Sequence, residues 1–366
     1  MLQHKTPYFS ILLLFFVVAC SSSTNPDETT NFDRAAMLEN YGNNIILPAF
    51  EDMQSAVNEL QTAADNFKTE RTTGQLENLQ TTLKQSRLAW QNVSPFQFGP
   101  AESVLLRASL NTYPTDTDKI SENIESGDYS MESISNQDAA GLPALDYLLH
   151  GVGGTNEEIL AAYTTDPNAQ NRLDYLLENI NYIKSKVDKA TSEWQTSGGD
   201  YIGMFLSEDN AGTDVGSSLG MLINSYVMHY ERFLRDGKIG IPAGVRSAGT
   251  PRPVTVEAYY GGYSAELAVA NFEQVERIFT GGNSRGLDDN LEALNAGDLA
   301  DEIQTQIDET KTALEALNDP LSQQIEENKD PVLTVFEEMQ QVVTLVKADM
   351  TSILGITITY QDNDGD

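Results

Sequence analysis

Apolar residues recur along this chain in alternating steps of four and three. Ile46, Phe50, Met53, Val57, Leu60, Ala64 and Phe67 form one unbroken stripe. Leu79, Leu83, Ser86, Trp90 and Val93 repeat it, as do Leu173, Leu176, Ile180, Ile183, Val187, Ala190 and Trp194. Further stripes run through Leu219, Leu222, Tyr226, His229 and Phe233, and through Ala265, Ala268, Phe272, Val275 and Phe279. Two more follow, Ile303, Ile307, Thr310, Leu314 and Leu317, then Phe336, Met339, Val343, Val346 and Met350. This spacing sets one apolar face on each helix, and such faces bury against one another in antiparallel bundles. Pro48 falls inside the first stripe, so that helix either kinks or begins there. Only Ile356–Tyr360 alternates as a strand would.

The predicted fold class is all-α, with too many long helices for one four-helix bundle. Two packed bundle domains fit the length, 33–197 and 198–366, divided at the turn-forming stretch Thr196-Ser197-Gly198-Gly199-Asp200. Two irregular stretches interrupt the helices, Asn111–Asn136 and a long loop over 236–262. Ile239, Ile241, Val245, Val254, Val256, Tyr259 and Tyr260 give the second loop enough apolar content to pack.

The first residues carry a different signal. Lys5 precedes the apolar run Ile11–Ala19, which ends at Cys20, the single cysteine of the chain. A short cationic region, a short apolar core and a small residue at the cut point mark an export signal over 1–19. A cysteine placed directly behind Val17-Val18-Ala19 is similar to a bacterial lipobox, in which the cysteine is acylated and begins the mature protein. The run is too short to span a hydrocarbon core of about 30 Å. Residues 20–32 are polar up to Phe32 and read as a flexible tether. Ser21, where an Asp would favour inner-membrane retention, points to the outer membrane, facing the periplasm or the outside.

With Cys20 acylated, no disulfide, thiolate metal site or cysteine nucleophile is open to the folded body. The formal charge of −33, from 55 acidic and 22 basic residues, argues against nucleic acid as a partner. His150 and His229 are the histidines of the mature chain. His229 lies on an apolar stripe and reads as a hydrogen-bonded core residue. His150 precedes Gly151 at a helix C-terminus, where the helix dipole favours a cationic imidazole. No His-Glu-x-x-His, Gly-x-Ser-x-Gly or phosphate-loop pattern occurs. The tail Asp362-Asn363-Asp364-Gly365-Asp366 resembles the opening of a calcium loop without its downstream Glu.

In Asp138–Gly151, Pro143 suits a first helical turn and Gly151 a helix end. Here the chain resembles the imelysin family, also described as insulin-cleaving membrane proteases, whose members carry Gly-x-His-x-x-Glu followed by Tyr-Leu-Leu and Gly. Ala89-Trp90 leading to Phe96-Gln97-Phe98-Gly99-Pro100, Leu110–Asp116, and Lys238–Pro242 with Glu257–Tyr260 beyond it extend the likeness over most of the mature chain. The resemblance implies two helical bundles with the motif near their junction, export, frequent lipid anchoring, a link to iron uptake and a proposed metallopeptidase activity. Gly141 matches the motif, but Pro143 stands at the His position and Asp146 at the Glu position; a further carboxylate of the family falls at Ser94. One shortened carboxylate does not hold a divalent ion that wants several ligands. The expectation is therefore a non-catalytic, lipid-anchored binding protein with a pocket at Ser94, Gly141, Pro143 and Asp146, whose cargo is a small molecule, haem, a metal or a peptide. Iron or zinc enters only through the resemblance. The alternatives are a metallopeptidase and an interaction module of an envelope complex.

Overall fold

Long apolar stripes need long helices to carry them, and the computed structural model, which describes residues 32–360, supplies these. Those long helices, with two short ones near the motif, are α1 (Leu47–Thr69), α2 (Thr73–Val93), the short α3 (Leu106–Leu110) and α4 (Gly141–Asp146), α5 (Ala169–Trp194), α6 (Ser218–Met228), α7 (Ser264–Thr280), α8 (Gly297–Glu315) and α9 (Asp330–Thr344). The signal segment, Cys20, most of the tether and the acidic tail from 362 lie outside the described residues. Among the described residues there is no strand, and no helix is long and apolar enough to cross a membrane.

Pro48 sits in the first turn of α1, which follows directly on a π-helical segment, Tyr41–Ile46. Its missing N–H falls where the hydrogen-bond pattern changes register, so the helix loses little. Thr72 caps α2 by accepting the Gln75 N–H. Every residue of the predicted α1, α2 and α5 stripes is buried, Ser86 included. Here α1 packs on both α2 and α5, α7 to α9 form a second group, and α7 also lies against α2. One continuous apolar core runs through both groups.

The structure departs from the periodic reading in three places. His229–Gly240 continues α6 as a π-helix and runs on through Ile241–Ala243, so the expected loop over 236–262 is helical in its first part. Gly240 does not end the helix; a Cβ there would come within 2.5 Å of the Phe336 ring, so packing explains the glycine. The wider turn also rotates Phe233 away from the core to 37% exposure and buries Leu234, five residues after His229, in its place. Within Asn111–Asn136, Thr117–Ser126 is a helix capped by Asp116, which accepts the Lys119 N–H. The alternating segment near 358 forms no strand. The Asn224 side chain donates to Thr357 O and accepts from Thr359 N–H, supplying the bonds a neighbouring strand would.

Candidate functional site

The motif segment is fixed first through its glycine. Gly141 has φ +82°, and a Cβ would lie 2.6 Å from the Leu110 carbonyl oxygen. The Asn179 side chain of α5 clamps it, accepting its N–H at 2.8 Å and donating to its carbonyl at 3.0 Å. Pro143 follows, buried in α4. Asp146, one turn on and 1% exposed, accepts the Tyr260 N–H through Oδ2 at 3.0 Å and the Gly261 N–H through Oδ1 at 3.1 Å. Tyr260 packs on Tyr147 with ring centroids 5.1 Å apart. The space left between Pro143, Asp146 and the 254–260 segment is about 20 Å³, enough for one water.

Behind this segment lies a buried charged layer. Arg87 of α2 donates to the backbone oxygens of Leu142 and Glu257. The Glu257 carboxylate pairs with Lys238 and accepts from Gln91 Nε2 at 3.1 Å and Asn111 Nδ2 at 2.8 Å. Burial alone would raise the Glu257 pKa, but Lys238 and Arg87 together hold it below the usual carboxylate value.

Ser94 belongs to an adjoining cluster that holds no carboxylate and shares Gln91 with the charged layer. Its hydroxyl donates to Gln91 O and accepts from Asn271 Nδ2 at 2.8 Å. His229, 2% exposed, meets Asn271 Oδ1 through Nε2 at 2.8 Å and Arg107 Nη2 through Nδ1 at 3.0 Å. A guanidinium can only donate, so Nδ1 accepts and Nε2 carries the proton. Burial first, then the Arg107 and Lys238 charges, hold His229 well below its ordinary pKa. The core-histidine reading stands, and no lone pair is left for a metal. His150 differs from its expectation: burial lowers its pKa, outweighing the attraction of Asp146, and its Nε2 is buried without a partner.

The four residues singled out by sequence therefore do not line one pocket. Pro143 and Asp146 share the small space, while Ser94 and Gly141 sit in hydrogen-bonded packing. A much larger cavity of about 650 Å³ opens between residues 97–137 and residues 232–255. Its walls are mostly apolar, with Leu105, Leu106, Phe233 and Ile241 prominent, and Arg107, Arg232 and Arg252 line it. Sequence reading missed this site. The available signal was Phe233, an aromatic on a helical stripe flanked by one of the few cations of an acidic chain.

The family model described as Imelysin, under a peptidase label, matches residues 46–347. The chain belongs to the imelysin family. Two solved structures share the fold. One, a provisionally designated iron-regulated protein A precursor from Parabacteroides distasonis ATCC 8503, is 19% identical with a TM-score of 0.73, covering 91% of this chain and 97% of its own. The other, an imelysin-like protein from Psychrobacter arcticus 273-4, is 18% identical with a TM-score of 0.69, covering 89% and 97%. No curated protein matches significantly.

For this imelysin, the metal implied by the family motif does not fit the residues present. Both Asp146 oxygens already accept backbone N–H groups, Pro143 has no ligand atom, and the Ser94–His229 cluster is closed on itself. Among the described residues, no group of three or more His, Cys, Asp or Glu side chains could hold a metal ion. Hydrolysis by a metal-activated water needs such a set, so no step is derived through one.

Proposed function

We propose that this imelysin is a binding protein of the bacterial envelope that holds a ligand rather than cleaving one, anchored through lipid on Cys20 and working in iron acquisition. The observation that carries the non-catalytic reading is the engagement of Asp146: the motif carboxylate ties the 260–261 backbone to α4 and borders a space of only about 20 Å³. The roomy cavity beside Arg107 and Phe233 supports a binding role. The iron link rests on family membership and on the designation of the Parabacteroides neighbour. The lipid anchor rests on the position of Cys20 behind Val17-Val18-Ala19, and outer-membrane placement on Ser21.

The deciding experiment is metal analysis and peptide-cleavage assay on the mature protein purified without chelator. Substoichiometric metal and no cleavage in the presence of added zinc or iron are expected. One tightly held metal per chain, with cleavage abolished by Asp146→Ala, would establish the metallopeptidase reading instead. Cys20→Ala is expected to move the protein from the membrane to the soluble fraction.

A further inference from the structure

The 650 Å³ cavity combines an apolar wall with three guanidinium groups in a protein of net charge −33. We infer that it is a binding site for an amphipathic organic anion, an apolar body carrying a carboxylate, sulfonate or phosphate. This deepens the binding-protein reading and rests on it.

The charge argument comes first. None of Arg107, Arg232 and Arg252 takes part in an ion pair with a described carboxylate; Arg71, Arg87 and Arg277 do not either, so what sets these three apart is that they line one cavity. Arg107 is held in place by donating to Ser94 O and His229 Nδ1 and by lying over the Phe233 ring at 3.5 Å. Burial lowers its pKa only to about 9, so it stays cationic near neutrality. Arg232 rests over the Tyr360 ring at 5.1 Å, and its Nε is buried without a hydrogen-bond partner. Gln97, also in the wall, has Nε2 unpartnered. Three guanidinium groups lining one cavity favour an acceptor-rich, negatively charged guest. Glu102 is the one carboxylate of the lining and is exposed at the rim, so the local balance stays positive.

The apolar argument is independent. Leu105 is 68% exposed and held at φ +51°, a conformation that leucine rarely adopts. Together with Phe233 it presents bare apolar surface to the cavity, and sites of this size with apolar walls and a few charged groups suit drug-sized organic ligands.

A matched pair of probes tests this on the mature protein: 8-anilinonaphthalene-1-sulfonate and its uncharged counterpart N-phenyl-1-naphthylamine, read by fluorescence titration. One-to-one binding of the sulfonate at least about tenfold tighter than the neutral ring system is expected, because a charge-assisted hydrogen bond contributes about that much. Arg232→Gln and Arg252→Gln should each weaken sulfonate binding about tenfold and leave the neutral probe unchanged, while Lys68→Gln, the same charge loss on an exposed face, should change neither. Displacement by dodecanoate marks a lipid-derived anion, and displacement by 1-naphthoate alone marks a compact aromatic one; either supports the proposal. Equal affinity for the two probes, or sulfonate affinity indifferent to both arginine substitutions, would overturn it. Discovery of peptidase activity would end the non-catalytic reading without touching the anion preference, so the two failures are distinguishable.

Discussion

The Asp146 carboxylate accepts the Gly261 backbone N–H at 3.1 Å, across 115 positions of chain. The acidic residue of the family motif is thus a tie between α4 and the 258–262 backbone. Gly261 is fitted to it, since a Cβ there would lie 2.7 Å from Asp146 Oδ1. Asp146→Ala leaves the Tyr260 and Gly261 amides without their acceptor, which costs about 2 kcal/mol of stability. Urea unfolding should show a lower midpoint with an unchanged slope. A stability equal to wild type would mean that the tie contributes nothing.

The glycine of the motif has a backbone role of the same kind. Gly141→Ala must adopt φ +82° and place a methyl 2.6 Å from the Leu110 carbonyl, both unfavourable. A loss of about 3 kcal/mol or more is expected. Gly74, in the first turn of α2 with no atom near its would-be Cβ, is the contrasting case. Gly74→Ala should gain up to about 1 kcal/mol. Thermal melts of the two variants in parallel check both signs.

Helix periodicity anticipates the core because burial of one face is a local pattern, repeated every three or four residues, and the α1, α2 and α5 stripes obey it throughout. It fails at Phe233 because a π-helix changes the repeat, and nothing in the composition of His229–Gly240 announces that change. The identity of the motif residues is legible in the sequence, and so is the loss of the histidine at Pro143. What Asp146 does instead is not, since its partners come from a segment more than a hundred residues away. The arginine-lined cavity is hidden for the same reason. Arg107, Arg232 and Arg252 meet only after three segments pack, and each alone reads as an ordinary surface cation.

One buried and one half-buried histidine make stability depend on pH. Burial holds both His150 and His229 below the ordinary value of about 6.5. On acidification the unfolded chain takes up these protons before the native protein does, so stability falls as pH drops below about 6.5. Each proton contributes a slope of at most about 1.4 kcal/mol per pH unit. Unfolding free energies measured between about pH 7 and 5 should decline, and His150→Gln should remove one of the two contributions. An unchanged slope in that variant would show that His150 is not neutral in the folded state.

The Lys238–Glu257 pair lies wholly inside the protein, joined by the Gln91 and Asn111 amides. Removing one charge strands the other in a low-dielectric interior, which costs about 3–5 kcal/mol, whereas removing both need not. Glu257→Gln keeps an acceptor for the two amides but leaves the Lys238 ammonium uncompensated, so it should be strongly destabilising. Adding Lys238→Met to that variant removes the stranded charge while preserving the amide bonds, and should recover much of the loss. Glu257 also sets an acid limit. Its folded pKa lies below its unfolded one, so the stability it confers is present above the unfolded value of about 4.3 and is lost as pH falls through the folded value. Urea midpoints for wild type, the single and the double variant at pH 7, repeated near pH 4, separate the two effects. The single variant should be the least stable at neutral pH. The double variant should show the weaker decline on acidification, because the carboxylate that titrates in wild type is no longer there.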